Sequence, residues 1–216
     1  MNAQIVVYAG FVLLPVAVTI ALAWAARSLP FTFAIFVWMA IAAILARSGI
    51  LNHFNSVPPP MALFILAGVL GTIVIGVSPW MRGLIKLPLG ALAGFQAFRI
   101  VVEILMHKSA TIGLAPPQMT WSGYNFDIVT GVTALLLAPF AGSAPRWFVF
   151  VWNCLGLTLL IVAVAIAALS FPTRFQLMQP DSTWVAYFPY VWLPAILVTA
   201  ALLGHILVFR KLASSR

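Results

Sequence analysis

The chain is built of seven apolar stretches, each close to the ~20 residues a helix needs to cross a bilayer core, separated by short polar breaks. Inside hydrocarbon every backbone amide must find its partner within its own segment, so runs of this kind fold as helices. Reading between charges, Pro and Gly predicts helices over about 5–26, 31–46, 58–79, 87–107, 125–141, 147–169 and 185–209. Composition agrees, with 64% hydrophobic and 6% charged residues, where a soluble domain carries roughly 25% charged. The expectation is one all-α integral membrane domain over residues 1–216, with no soluble domain beside it.

Connections are short except at 47–57, 108–124 and 170–184, which carry Pro58-Pro59-Pro60, Pro116-Pro117 and Gln179-Pro180-Asp181. With seven spans all three fall on one side. Basic residues decide which side, because cytoplasmic loops retain Lys and Arg. Arg27, Arg82, Lys86, Arg146, Arg210, Lys211 and Arg216 share one face, and Arg47, Lys108 and Arg174 the other. That bias puts the amino terminus outside and the carboxyl terminus in the cytoplasm. Trp24, Trp80 and Trp147 then mark the inner interface, and Trp121 and Trp184 the outer one. Ala23-Trp24-Ala25 has the form of a signal-peptide cleavage site, but cleavage there would turn the basic loops outward against the charge rule. The formal charge of +8 is spread over single residues at helix ends, which is a topology signal and not a nucleic-acid surface. Gly90 with Gly94, and Gly68 with Thr72 and Gly76, have the spacing of close helix contacts. Cys154 stands alone in an apolar run, so no internal disulfide is available.

Only three acids occur in the chain, and Glu103 is one of them, placed inside an apolar stretch. Arg99, Glu103 and His107 are spaced four apart and form one helical stripe, which Gln96 extends inward. Charges at membrane depth face a bundle interior or an aqueous cavity and mark candidate functional sites. The fourth helix rises outward, so Glu103 lies about one turn below His107. Asp127, just after Asn125 at the outer start of the fifth helix, falls at about the same depth. The site expected from this arrangement is an outward-facing pocket of Arg99, Glu103, His107, Asp127, Asn125 and Gln96. Glu103 is its protonatable group, Arg99 the counter-ion, and His107 with Asp127 the outer gate, for a proton, an ion or a small solute.

Two other readings stand beside that one. Glu103, His107 and Asp127 have the oxygen and nitrogen donors for a divalent metal, which would make the protein a membrane enzyme acting on a lipid-like substrate in the outer leaflet. Alternatively the charges only neutralise one another and pin helices, as in a structural or assembly subunit. His205 lies toward the cytoplasmic end of the seventh helix, roughly 20 Å in depth from His107, and is expected outside the group, near Asn153. His53 is expected to be solvated in an outer loop. Beyond lipid, a small solute or ion is the expected partner, and a homo-oligomer stays open. Pro189 and Pro194, with Tyr187, Tyr190 and Trp192, predict a kinked aromatic outer half of the last helix, read first as an interface belt with ordinary kinks and second as a wall of the pocket.

Seven spans with an external amino terminus also occur in microbial rhodopsins, but the last helix offers only Lys211 at its cytoplasmic end, so retinal is not expected. Three histidines at different depths match neither the zinc site of alkaline-ceramidase-like hydrolases nor a bis-histidine haem. The segment from Phe98 to Ala134 resembles an uncharacterised family of bacterial multispanning membrane proteins. The likeness is carried by Phe98-Arg99, Glu103, His107, Pro117-Gln118-Met119-Thr120, Gly123, Asn125-Phe126-Asp127, Gly131 and Thr133-Ala134. Members of that family often carry an acid where this chain has Ser122. The resemblance implies a membrane bundle and brings no established activity.

Overall fold

The computed structural model describes residues 2–214, and every regular element among them is helical. Among these residues six helices are long and apolar enough to cross a membrane. In chain order the helices are α1 (Ala3–Ala26), α2 (Leu29–Arg47), α3 (Pro60–Val77), the single turn α4 (Arg82–Ile85), α5 (Leu89–Phe95), α6 (Phe98–Thr111), α7 (Ile128–Leu137), α8 (Arg146–Leu169) and α9 (Thr199–Ser214). Asn2 and Ser28 cap α1 and α2 by accepting the amides of Gln4 and Phe31. Arg216 lies outside the described residues.

The surface is apolar where the helices face outward, with Leu13, Ile20, Phe33, Leu66, Val74, Leu136 and Ile161 all exposed. An apolar coat of this extent belongs in an apolar solvent. Polar side chains turn inward instead, including Gln96, Arg99, Glu103, Asp127, Asn153 and His205. The last helix is the most enclosed of the six, packing against α3, α5 and α8. Glycines let backbones close up as their spacing predicts. A Cβ on Gly94 would meet Ala138 Cβ at 2.9 Å, and one on Gly76 would meet Ile206 at 3.0 Å.

Three predicted spans take a different form. The fourth continues to Thr111 and is jointed at Gln96 and Ala97, where amides bond three residues back and tighten the coil between α5 and α6. The fifth, expected over 125–141, is helical only over the ten residues of α7, about 15 Å of rise. Residues 112–127 enter the bundle as loop chain instead, regular only in a 3-10 turn at Pro117–Met119, with Ala115, Gln118, Met119, Thr120, Asn125 and Asp127 buried. Irregular backbone at membrane depth is tolerated where protein surrounds it or a cavity adjoins it, and side chains carry much of its hydrogen bonding here. The seventh starts with a π-helical turn at Leu193–Val198 and runs on to Ser214. Pro194 lies in that turn, and the carbonyl of Ala195 accepts from Trp38 Nε1 at 3.0 Å and Thr199 Oγ1 at 2.6 Å.

Two ends of the bundle differ in kind. At one, the long loops interlock: Phe54 packs on Phe171 and Gln118 Nε2 donates to Pro180 O at 2.7 Å. Gln4 and Tyr8 of α1 lie beside Gly113 and Tyr190 there. At the other end sit Arg27, Arg82 and Lys86. Arg210 donates to the carbonyls of Gly76 and Ser78, Lys211 to Ile85, and Arg146 to Leu212. Trp24 and Trp80 stand at this basic end as expected, whereas Trp184 is buried against Phe11 and Tyr190 and forms no part of an interface belt.

Candidate functional site

Arg99 is 1% exposed and spends its guanidinium on two neighbours. Nε donates to Asp127 Oδ2 at 2.7 Å and Nη2 pairs with Asp127 Oδ1, a bidentate ion pair joining α6 to the start of α7. Nη1 lies 2.9 Å from His205 Nε2 on α9. A guanidinium only donates, so Nε2 accepts and the ring is neutral with its proton on Nδ1. That proton goes to Asn153 Oδ1 at 2.8 Å on α8, and Asn153 Nδ2 donates back to the His205 carbonyl at 3.1 Å. The result is a chain of polar groups, Asp127, Arg99, His205 and Asn153, crossing four helices with no net charge.

Two glycines make room for it. A Cβ on Gly156 would lie 2.7 Å from Thr130 Cγ2 and 2.8 Å from His205 Cε1, and one on Gly131 would lie 2.9 Å from the backbone nitrogen of Ile100. These close approaches set α7 against α6 and His205 within reach of Arg99.

Glu103, one turn up the stripe, has a different environment. Its Oε1 accepts from Asn125 Nδ2 at 2.9 Å, and the same amide donates to Met119 O at 3.0 Å. Asn125 Oδ1 accepts the amide of Asp127 at 3.0 Å, so this residue both starts α7 and holds Glu103. The other carboxyl oxygen, Oε2, is buried and has no hydrogen-bond partner among the described residues. Glu103, Asn125 and Asp127 line a cavity of about 80 Å³ whose remaining walls are apolar, among them Val102, Leu160, Phe171, Leu193 and Pro194. One water needs ~10–15 Å³ by such a measure, so there is space for a few waters or one small molecule.

The expected stripe therefore divides. Arg99, Glu103, Asn125 and Asp127 come together, with Arg99 paired to Asp127 and not to Glu103. Gln96 turns away and donates to Ala201 O at 2.9 Å. His107 turns to the loop end, stacked on Trp121 with ring centroids 4.5 Å apart and Nδ1 3.4 Å from Ser122 Oγ. The metal set of Glu103, His107 and Asp127 is not assembled, and no group of three metal-donor side chains gathers elsewhere among the described residues. His53 is exposed, close to its own turn at Ile50 O.

His205 belongs to the network, against expectation, while its partnership with Asn153 is as expected. The displaced span explains the difference. A last helix running from Leu193 to Ser214 rather than 185–209 shifts each residue toward the loop end by about 10 Å at 1.5 Å per residue, which brings His205 to the middle of the bundle. Pro189 and Pro194 were the signal available, since a helix can start after such prolines as readily as bend at them. Gly156 and Thr130 carried no signal legible in one sequence.

Fold and site together define a multi-pass helical membrane protein with a neutral polar network through its core. No family model, no curated protein and no solved structure matches the chain.

Proposed function

We propose that the protein binds or conducts a proton, an ion or a small solute at the Glu103 cavity. The proposal takes the chain as a seven-span protein of the bacterial cytoplasmic membrane, related to the uncharacterised family that its Phe98–Ala134 segment resembles, with the amino terminus outside. What supports seven crossings is that Gln4 lies at the loop end and Leu212 at the basic end, which an odd number of passes requires. The surplus of cations at the carboxyl-terminal end supports a cytoplasmic placement for that end.

One observation carries the functional reading: Oε2 of Glu103, buried and unpartnered, sits where the carboxyl lines a cavity. A polar atom left unsatisfied at this depth costs about 1–3 kcal/mol, which a purely structural network would have no reason to retain. A carboxyl so placed exchanges a proton with whatever enters, or donates to it. Arg99, already matched by Asp127, keeps the floor of the site neutral, so the exchange concerns Glu103 alone.

Reconstitution into vesicles holding a pH-sensitive dye tests this. An imposed pH gradient should decay faster with the protein than without it, and Glu103→Gln should return the rate to that of empty vesicles while the variant keeps its helical spectrum and elution volume. Equal decay with Glu103→Gln would sink the proton reading, and unchanged binding of every solute bound by the native protein would sink the rest. A structural role is favoured by one feature, the complete pairing of Arg99, Asp127, His205 and Asn153, and it predicts that Glu103→Gln changes nothing but stability.

A further inference from the structure

At the basic end three cations stand without an acid to answer them. Arg27 follows α1, Arg82 begins α4 and Lys86 ends it, and all three line one open cavity of about 920 Å³ with Trp24 and Trp80. None of the three side chains makes a hydrogen bond or ion pair within the described residues, in contrast to those of Arg210 and Lys211 close by, which donate to backbone carbonyls. The chain has only three acids, and none is near: Glu103 and Asp127 are in the core network, and Asp181 accepts from Gln176 at the loop end. Among the described residues no side-chain acid supplies a counter-charge to them.

Arg27 adds an independent sign. Its backbone is left-handed, with φ 49° and ψ 40°, at a helix-ending position where glycine is the usual occupant because a Cβ is disfavoured there. A non-glycine residue in that conformation, at the wall of a cation-lined cavity, is the kind of strain that collects at binding sites. The cavity is also amphipathic. Leu29 and Leu87 line it beside the cations, and Trp24 is 77% exposed, so an apolar flank adjoins the charges.

The geometry points to a site for the phosphate group of an anionic phosphate ester, held by Arg27, Arg82 and Lys86, with an anionic phospholipid as the source that also uses the apolar flank. Basic pockets between membrane helices take lipid head groups by this chemistry. The site is separate from the Glu103 cavity and does not depend on what that cavity does.

The full-length protein, in nanodiscs of phosphatidylcholine with increasing phosphatidylglycerol, supplies the test, read as lipid retained after transfer to detergent and as Trp fluorescence. The native protein should retain phosphatidylglycerol at least tenfold more tightly than phosphatidylcholine, and less so as salt rises. Arg82→Gln with Lys86→Gln should remove that preference and leave phosphatidylcholine retention as it was. Arg27→Gly relieves the backbone, so it should keep or raise the melting temperature and still weaken phosphatidylglycerol binding several-fold, an outcome that no structural role of Arg27 produces. It also serves as the decisive variant if the double substitution does not fold. Equal retention of the two lipids by the native protein, or an undiminished preference in Arg27→Gly, overturns the proposal. Glycerol phosphate that displaces the lipid at millimolar concentration assigns the site to a soluble phosphate ester, and failure to displace assigns it to the lipid.

Discussion

Arg99 and the trio of Arg27, Arg82 and Lys86 carry the same kind of charge in opposite circumstances. The first is enclosed and answered on every side, by Asp127 and by His205; the others are exposed and answered by no side chain among the described residues. The contrast follows from solvation. Burying a cation without a partner costs several kcal/mol, so the interior position had to bring its acid and acceptor along. At the rim water and head groups supply the partner, and no such demand exists. An unpartnered atom therefore carries different weight at the two places: at Glu103 Oε2 it is informative by itself, whereas at the rim it becomes so only with the left-handed Arg27 and the apolar flank beside it.

The strongest way to break the contrast is to remove the interior partner. Asp127→Asn leaves the Arg99 charge buried and unmatched, and should cost about 3–5 kcal/mol, seen as a large fall in melting temperature or as loss of folded protein. Arg99→Met with Asp127→Leu should recover most of it, because an apolar pair of similar volume no longer has a charge to desolvate. Neutralising Arg82 should leave the melting temperature nearly unmoved, since exposed charges contribute little. A small effect at Asp127, or a large one at Arg82, contradicts the division drawn between the two regions.

A smaller effect is expected where the network relies on space. Gly156→Ala puts a Cβ under 3 Å from Thr130 and His205, and overpacking of that kind costs about 1–3 kcal/mol. Gly71→Ala is the matched control, because nothing lies within 4 Å of its would-be Cβ. The control should be neutral or gain up to about 1 kcal/mol from helix propensity. If both substitutions behave alike in thermal unfolding, Gly156 is not what lets His205 reach Arg99.

How much of this was legible in the sequence depends on which physical signal was at work. Apolar runs announce spans strongly, because no alternative fold satisfies their backbone in lipid, and α1, α2, α3 and α8 begin and end within a few residues of the expected bounds. The spacing of Gly90 and Gly94 marked a close helix contact, and the structure supplies Ala138 as the residue they meet. Asn125, Asp127 and Glu103 were placed together by depth alone, and depth holds when a helix starts where it is expected to start. It failed for the last helix, whose π-turn and prolines moved its start from 185 to Leu193 and carried His205 with it. The partial helix of α7 was hidden for another reason. Asn125-Phe126-Asp127 and Pro139 bracket an apolar run that hydropathy counts as a span, while the choice between helix and buried irregular chain is made by side-chain hydrogen bonds to Met119 and Asp127 that no periodicity records.

His107 offers the mildest test and separates the stripe from the site. Four-residue spacing put it on the face of Glu103, yet the helix carries it beyond the network to the loop end, where it stacks on Trp121 with an interplanar angle of 14°. Nothing joins it to Glu103 or Asp127, so it belongs with the rim and not with the interior. His107→Ala should therefore lose only the stacking, about 0.5–1.5 kcal/mol, and leave any Glu103-dependent flux unchanged. Trp121→Ala should cost about the same and the double variant no more than either, since one contact is removed in each case. A flux that fell with His107→Ala while the melting temperature held would return this histidine to the pathway, and would mean that the boundary between interior and rim lies one turn further out than Glu103.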